Sequence, residues 1–111
     1  MDTSNLDVGI ASLRHAYAQG PLTPEDVVNE CFRRIRTYAD PHVWTELVDE
    51  RAARARARAL MADPAARQLP LYGMPFSVKD NVDVAGMATT CGCRGFDRHP
   101  GHSAYAVALA L

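Results

Sequence analysis

The spacing of apolar residues in the first 40 positions predicts two amphipathic helices. The apolar face of the first helix consists of Leu6, Ile10, Leu13 and Tyr17, which recur every three or four residues. Gly20-Pro21 should end this helix. A second helix is predicted from Thr23, whose hydroxyl can cap a helix followed by a proline and two acids, to about Tyr38.

The middle of the chain predicts a third helix. His42 to Val48 is rich in β-branched and aromatic residues and predicts a short extended segment before it. The stretch from about Asp49 to Asp63 is rich in alanine and arginine, and Pro64 follows it. A nucleic-acid-binding stripe and a membrane-surface helix are alternatives for this segment. Its acidic residues offset part of the charge, which favours a solvated helix face.

After a loop at 64–70 the pattern changes to short apolar runs broken by glycine and proline. Pro75 to Asn81 predicts a buried strand, with Ser77, Lys79 and Asn81 on one face and Asp80 on the other. Gly86 fits a turn. A second extended piece is expected at 88–91, where threonine hydroxyls are available for hydrogen bonds.

The last segment, Ser103 to Leu111, has the pattern of the first two turns of a helix capped by Ser103. Its apolar end would be left uncovered, so we expect the domain to be incomplete at its C terminus.

Composition narrows the classes of function. The chain has 111 residues, 48% of them hydrophobic and 23% charged, with a formal net charge of −1, which fits part or all of one small domain. This balance gives no electrostatic reason to expect nucleic acid or an anionic membrane as a partner. The sequence shows neither a membrane-spanning apolar run nor a signal peptide, so a cytoplasmic location is expected.

Metal and disulfide chemistry are not predicted. The cysteines Cys31, Cys91 and Cys93 are odd in number, and the last two are too close for an ordinary bridge, so we interpret them as reduced thiols. His99 and His102 have no third ligand at metal spacing. We therefore expect no metal site in this chain.

Lys79 is the only lysine in the chain, whose other cationic side chains are arginines. Lysine can lose its proton where arginine effectively cannot, so a single lysine among small and apolar residues indicates a base. The alternative, a lysine that pairs with Asp80 or caps a turn, remains open.

The region around this lysine resembles the N-terminal part of the amidase signature family. The matching elements are Gly73-x-Pro75, Lys79-Asp80-Asn81, Asp83-Val84-x-Gly86 and Thr89-Thr90. The resemblance covers nearly the whole chain and implies an α/β fold. Residues 1–111 would form the N-terminal part of a single domain: three helices, one or two short core strands and a cut helix. The flanking residues are most similar to those of allophanate hydrolases, whereas general amidases and amidotransferase catalytic subunits share the lysine motif.

The resemblance implies a hydrolase of small amides that uses a Ser-cisSer-Lys triad, in which Lys79 is the base. The candidate residues around this base are Ser77 and Asn81, which strand alternation places on its face, and Asp80, which follows it in the chain and should face away. The chain's serines, Ser4, Ser12, Ser77 and Ser103, match neither catalytic serine. We expect the nucleophile to lie outside this chain, and the chain alone to be inactive. The implied reaction is hydrolysis of allophanate to ammonia and carbon dioxide, as in urea breakdown, without a metal or organic cofactor. A lysine base near neutral pH needs its pKa lowered by about three units from about 10.4, mostly by burial.

A function of another class also fits the sequence. The chain could be a non-catalytic remnant whose helices bind a partner and whose lysine motif is inherited. Cooperative unfolding of the isolated chain would favour this hypothesis.

Overall fold

The computed structural model describes all 111 residues, and the chain forms two compact units. The first unit contains residues 1–39 and 49–75, and the second contains residues 40–48 and 76–111. The helices are α1 (Ile10–Gln19), α2 (Pro24–Tyr38), α3 (Glu50–Ala62), a 3-10 helix (Ala66–Gln68) and α4 (Tyr105–Ala110). None of them has the length and apolar character that crossing a membrane requires.

Helix α1 begins four residues later than the apolar spacing from Leu6 predicts. Asp7 accounts for the difference, because its carboxylate accepts hydrogen bonds from the N–H of Gly9 at 2.9 Å and from the hydroxyl of Ser12 at 2.5 Å. These bonds hold the incoming chain outside the helix. Leu6 nevertheless packs against the core of the first unit.

Helix α2 confirms the predicted start and end. Thr23 and Asp26 form a capping box, in which the Thr23 hydroxyl accepts from the Asp26 N–H at 3.2 Å and the Asp26 carboxylate accepts from the Thr23 N–H at 2.9 Å. Ala39, with a φ of 52°, ends the helix in the left-handed conformation.

Helix α3 also confirms its prediction, and Asp49 caps it by accepting the Ala52 N–H at 2.8 Å. Two of its arginines bind α2. The Arg58 guanidinium pairs with Glu25 at 2.5 Å, and Arg54 Nε donates to the side-chain oxygen of Asn29 at 2.7 Å. The arginine pattern therefore serves packing between helices as well as a solvated face.

The core of the first unit is small and apolar. Leu13, Leu22 and Val27 are buried in it. The residues packed against these three are Leu6, Ala16, Tyr17, Cys31 and Met74. Segment 71–75, which precedes the lysine motif, is thereby attached to α1 and α2.

The predicted strands do not form. Residues 75–79 have no regular secondary structure, and the only β pairing is a single antiparallel bridge between Thr89 and Arg98. A strand needs a neighbouring strand to satisfy its N–H and C=O groups, and these 111 residues place none beside Pro75 to Asn81. The segment at 42–48 is likewise irregular. The α/β expectation is thus met in its helices and not in its sheet.

The second unit has little buried apolar surface and one short helix, α4, in which Val107 is buried. Ser103 does not cap this helix, contrary to the prediction. Its hydroxyl oxygen accepts a hydrogen bond from the Ala85 N–H at 3.0 Å, and Ala104 occupies the cap position.

Candidate functional site

The glycine that opens the motif is required by packing in the first unit. Gly73 has a φ of 67°, and a Cβ built there would lie 2.9 Å from Pro24 Cγ and 2.9 Å from Tyr17 Cε2. Tyr17 donates its hydroxyl proton to the Gly73 carbonyl at 2.8 Å. Burial raises the pKa of Tyr17, which keeps it a donor over the whole physiological range. Only glycine fits this position without rearrangement.

Lys79 is exposed, which differs from the burial expected for a catalytic base. Its carbonyl accepts the Val82 N–H at 2.9 Å and so begins a turn. Its amine makes no hydrogen bond or ion pair, so the alternative of a lysine paired with Asp80 is not what the structure shows. Neighbouring Phe76 is 50% exposed. These 111 residues therefore leave the amine uncovered, and its role as base stays a prediction.

Ser77 and Asn81 are also exposed, and neither is hydrogen-bonded to Lys79. The predicted shared face depended on a strand from Pro75 to Asn81, and that strand is absent. Their assignment as site residues beside the lysine remains a prediction.

Asp80 is the centre of a hydrogen-bond network. Its carboxylate accepts the Thr90 N–H at 2.8 Å, the Thr90 hydroxyl, and the Gly92 N–H at 3.4 Å. The Asp80 carbonyl accepts the Cys91 N–H at 2.9 Å. The bonds from the hydroxyl and N–H of Thr90 are the main reason that the pKa of Asp80 is lowered. The carboxylate is thus engaged by segment 90–92. Strand alternation was expected to turn it away from Lys79, and here these hydrogen bonds direct it to another partner.

The tight turn at 90–93 presents these donors. Cys91 and Gly92 have φ values of 52° and 70°, and the Cys93 N–H closes the turn on the Thr90 carbonyl at 2.9 Å. Two consecutive left-handed residues are the mark of a type I′ turn. Cys91 and Cys93 are free thiols, as predicted, and both are exposed.

Asp83 anchors the same loop to a second partner. Its carboxylate accepts the Thr89 hydroxyl at 2.9 Å and pairs with Arg98 Nη2 at 2.5 and 2.7 Å. The hydroxyl of Thr89, followed by Arg98, lowers the pKa of Asp83. Arg98 was not predicted from the sequence, because nothing local relates it to a carboxylate 15 residues earlier.

The two threonines therefore each bind a different aspartate of the motif. Thr89 is only 2% exposed, and its hydroxyl binds Asp83, whereas Thr90 binds Asp80. The expectation that threonine hydroxyls would be used for hydrogen bonds is confirmed. Gly86, with a φ of 82°, lies in the turn closed by the Met87 N–H on the Val84 carbonyl at 3.1 Å, again as predicted.

Comparison with known proteins gives a consistent result. A family model described as amidase matches residues 26–109. A urea amidolyase of Lachancea kluyveri is 34% identical over 94 residues, which are 81% of this chain and 5% of that protein. The A subunit of a glutamyl-tRNA(Gln) amidotransferase from Oleidesulfovibrio alaskensis is 45% identical over 83 residues, 71% of this chain and 16% of that protein. The corresponding protein from Exiguobacterium is 36% identical over 109 residues, 94% of this chain and 22% of its own length. The chain thus spans between 5% and 22% of the length of these relatives.

Proposed function

This chain belongs to the amidase signature family, and we propose that it contributes the catalytic lysine of an amide-bond hydrolase. The observation that carries the proposal is the interlocked motif. Asp80 and Asp83, one and four residues after Lys79, bind the adjacent threonines Thr90 and Thr89. Four of the positions that mark the family in the sequence are therefore joined in space, as expected if they build one site.

In the proposed mechanism the Lys79 amine begins the proton relay. The neutral amine accepts a proton from a bridging serine, which in turn takes the proton of the serine that attacks the amide carbonyl. Neither serine is supplied by this chain, because its four serines match neither catalytic position. The nucleophile, and the cover that Lys79 needs to be neutral near pH 7, come in this proposal from polypeptide outside the 111 residues.

Allophanate is the substrate that we propose. Two observations support it: the residues flanking the lysine motif resemble those of allophanate hydrolases, and the Lachancea urea amidolyase is among the relatives. The alternatives within the family are a general amidase and an amidotransferase catalytic subunit. The similarity to amidotransferase subunits, up to 45% identity among the relatives described, keeps the second alternative open.

The test is the ammonia released by the full-length protein that contains this chain, with allophanate and with a simple primary amide as substrates. Lys79→Ala should lower kcat with allophanate by at least about a thousandfold, because the relay loses its base. Lys79→Arg should also be inactive, since arginine keeps the charge and cannot accept a proton near neutral pH. Parent-like turnover by either variant would refute the role of Lys79. A higher kcat/KM for the simple amide would refute allophanate as the substrate and would leave the role of Lys79 untouched.

A non-catalytic module is the second candidate, and the core of the first unit favours it. The buried residues Leu13, Leu22 and Val27 all belong to that unit, as do the residues packed against them. Circular dichroism during a urea titration of the 111-residue chain distinguishes the two candidates. One cooperative transition would support a self-sufficient module, whereas a broad transition would favour a part that needs further polypeptide.

A further inference from the structure

Every acidic side chain close to Lys79 in sequence is held by the segment that follows the Gly86 turn. Asp80 is bound by Thr90 and Gly92, and Asp83 is bound by Thr89 and Arg98. A free carboxylate next to a lysine would attract its ammonium and favour the protonated form. The two aspartates are the sources of such an attraction that lie nearest to Lys79 in the sequence, and both are engaged elsewhere.

We propose that Thr90 is a positioning residue that holds the Asp80 carboxylate away from the Lys79 amine. Its hydroxyl and its N–H both donate to that carboxylate, and the Gly92 N–H adds a third donor at 3.4 Å. The Thr45 side chain also hydrogen-bonds to this carboxylate. Together these donors satisfy most of what an ionised carboxylate can accept, so little remains to draw it to the ammonium. This inference rests on the proposed function for its purpose, because a base must be free to lose its proton.

The geometry of the turn supports this role. Cys91 adopts a φ of 52°, an unusual conformation for a residue with a side chain, and its N–H donates to the Asp80 carbonyl at 2.9 Å. The backbone is thus held so that Thr90 and Gly92 face the carboxylate. The lowered pKa of Asp80 agrees, because it reports stabilisation of the ionised form by these donors.

Three other charged groups of the second unit have partners of their own. The Asp83 carboxylate and Arg98 neutralise one another at 2.5 Å, and Glu46 accepts the Ala88 N–H at 2.8 Å. None of the three binds the Lys79 amine. Asp80 is therefore the carboxylate that could approach the Lys79 amine if its hydrogen bonds to Thr90 were lost.

The test uses the fact that Lys79 is the only lysine of the chain. The 111-residue chain is acylated at about pH 8 with a limiting amine reagent, and mass spectrometry of peptides gives the rate constant at Lys79. The α-amino group of Met1 reacts in the same tube and serves as internal reference. Because only the neutral amine reacts, the rate reports the fraction of Lys79 that has lost its proton.

Thr90→Val removes the hydroxyl at nearly constant volume and should slow acylation of Lys79 about two- to fivefold, while Met1 is unaffected. The pH–rate profile should move to higher pH. Thr90→Ser restores the hydroxyl and should restore the parent rate. In Thr90→Val combined with Asp80→Asn the slowing should disappear, because the released side chain no longer carries charge.

The single variant Asp80→Asn supplies a measurement that does not depend on the folding of Thr90→Val. It should change the Lys79 rate by less than about twofold, because the carboxylate is already held away in the parent. An acceleration of about fivefold or more would show that Asp80 acts on the amine in the parent and would overturn the proposal. An unchanged rate in folded Thr90→Val would also overturn it. Acylation needs no hydrolase activity. Failure of this proposal can therefore be distinguished from failure of the proposed function, which the ammonia-release assay tests.

Discussion

At the residue scale, several motif positions other than the lysine have identifiable structural tasks. Gly73 has no Cβ, so Tyr17 of α1 and Pro24 of α2 can pack directly against its backbone. Asp80 and Asp83 bind Thr90 and Thr89 and so hold the loop that follows the lysine. Each task depends on one chemical property: the absence of a Cβ, or a carboxylate with several acceptor sites. The lysine differs from them because its amine has no partner.

Gly73→Ala should destabilise the chain by about 2 to 4 kcal/mol, the sum of a left-handed φ and a tight contact in a packed site. The added Cβ would lie 2.9 Å from both Pro24 and Tyr17 atoms. Urea unfolding followed by circular dichroism measures the change. Gly86→Ala is the matched control: its φ of 82° is also positive, and nothing lies within 4 Å. Equal destabilisation by both variants would contradict the packing argument.

At the scale of elements, helices follow the sequence closely and strands do not. Helices α2 and α3 begin and end where their caps and periodicity predict, because these signals act within a few residues. Helix α1 starts later than predicted because the Asp7 side chain forms hydrogen bonds that the spacing of apolar residues does not reveal. The predicted strand from Pro75 to Asn81 does not form, because a hydrogen-bond ladder needs a second strand from elsewhere in the sequence. A local sequence pattern cannot show whether such a strand is present.

The cap of α2 gives a prediction at this scale. Thr23→Ala removes one side of the capping box and should lower the free energy of unfolding by about 1 kcal/mol. Thr23→Ser keeps the hydroxyl and should stay within about 0.5 kcal/mol of the parent. Thermal and urea unfolding of the three proteins measure both. A Thr23→Ala variant as stable as the parent would show that the cap adds nothing beyond the packing of Val27.

At the scale of the whole molecule, ionised carboxylates are prominent among the polar contacts that tie distant residues together. In the first unit Glu30 is 1% exposed and accepts hydrogen bonds from Arg33, Arg34 and Thr3. These bonds, that of Arg33 foremost, lower the pKa of Glu30 from 4.5 to about 2, although burial acts in the opposite direction. In the second unit the carboxylates of Asp80 and Asp83 have the same direction of pKa shift.

Stability should therefore fall in acid. A carboxyl group whose pKa is lower in the folded state stabilises the fold above its unfolded pKa, and this contribution is lost as pH falls through the folded pKa. For Glu30 the window runs from about pH 4.5 down to about pH 2. The urea midpoint measured from neutral pH to about pH 2 should decrease through this window. In Glu30→Gln, which is neutral throughout, the decrease should be shallower, and an identical slope would show that Glu30 does not carry the effect.

The sequence by itself determined the helices α2 and α3, the turn at Gly86, the singular lysine and the family of the chain. These features depend on spacing, caps and residue types within short stretches. Tertiary structure alone decided that Lys79 is exposed, that Asp80 and Asp83 bind Thr90 and Thr89, and that Arg98 joins them. Hydrogen bonds between residues 6 to 15 positions apart depend on how loops close. The burial of a side chain depends on which distant segments pack over it. The local sequence pattern determines neither loop closure nor burial.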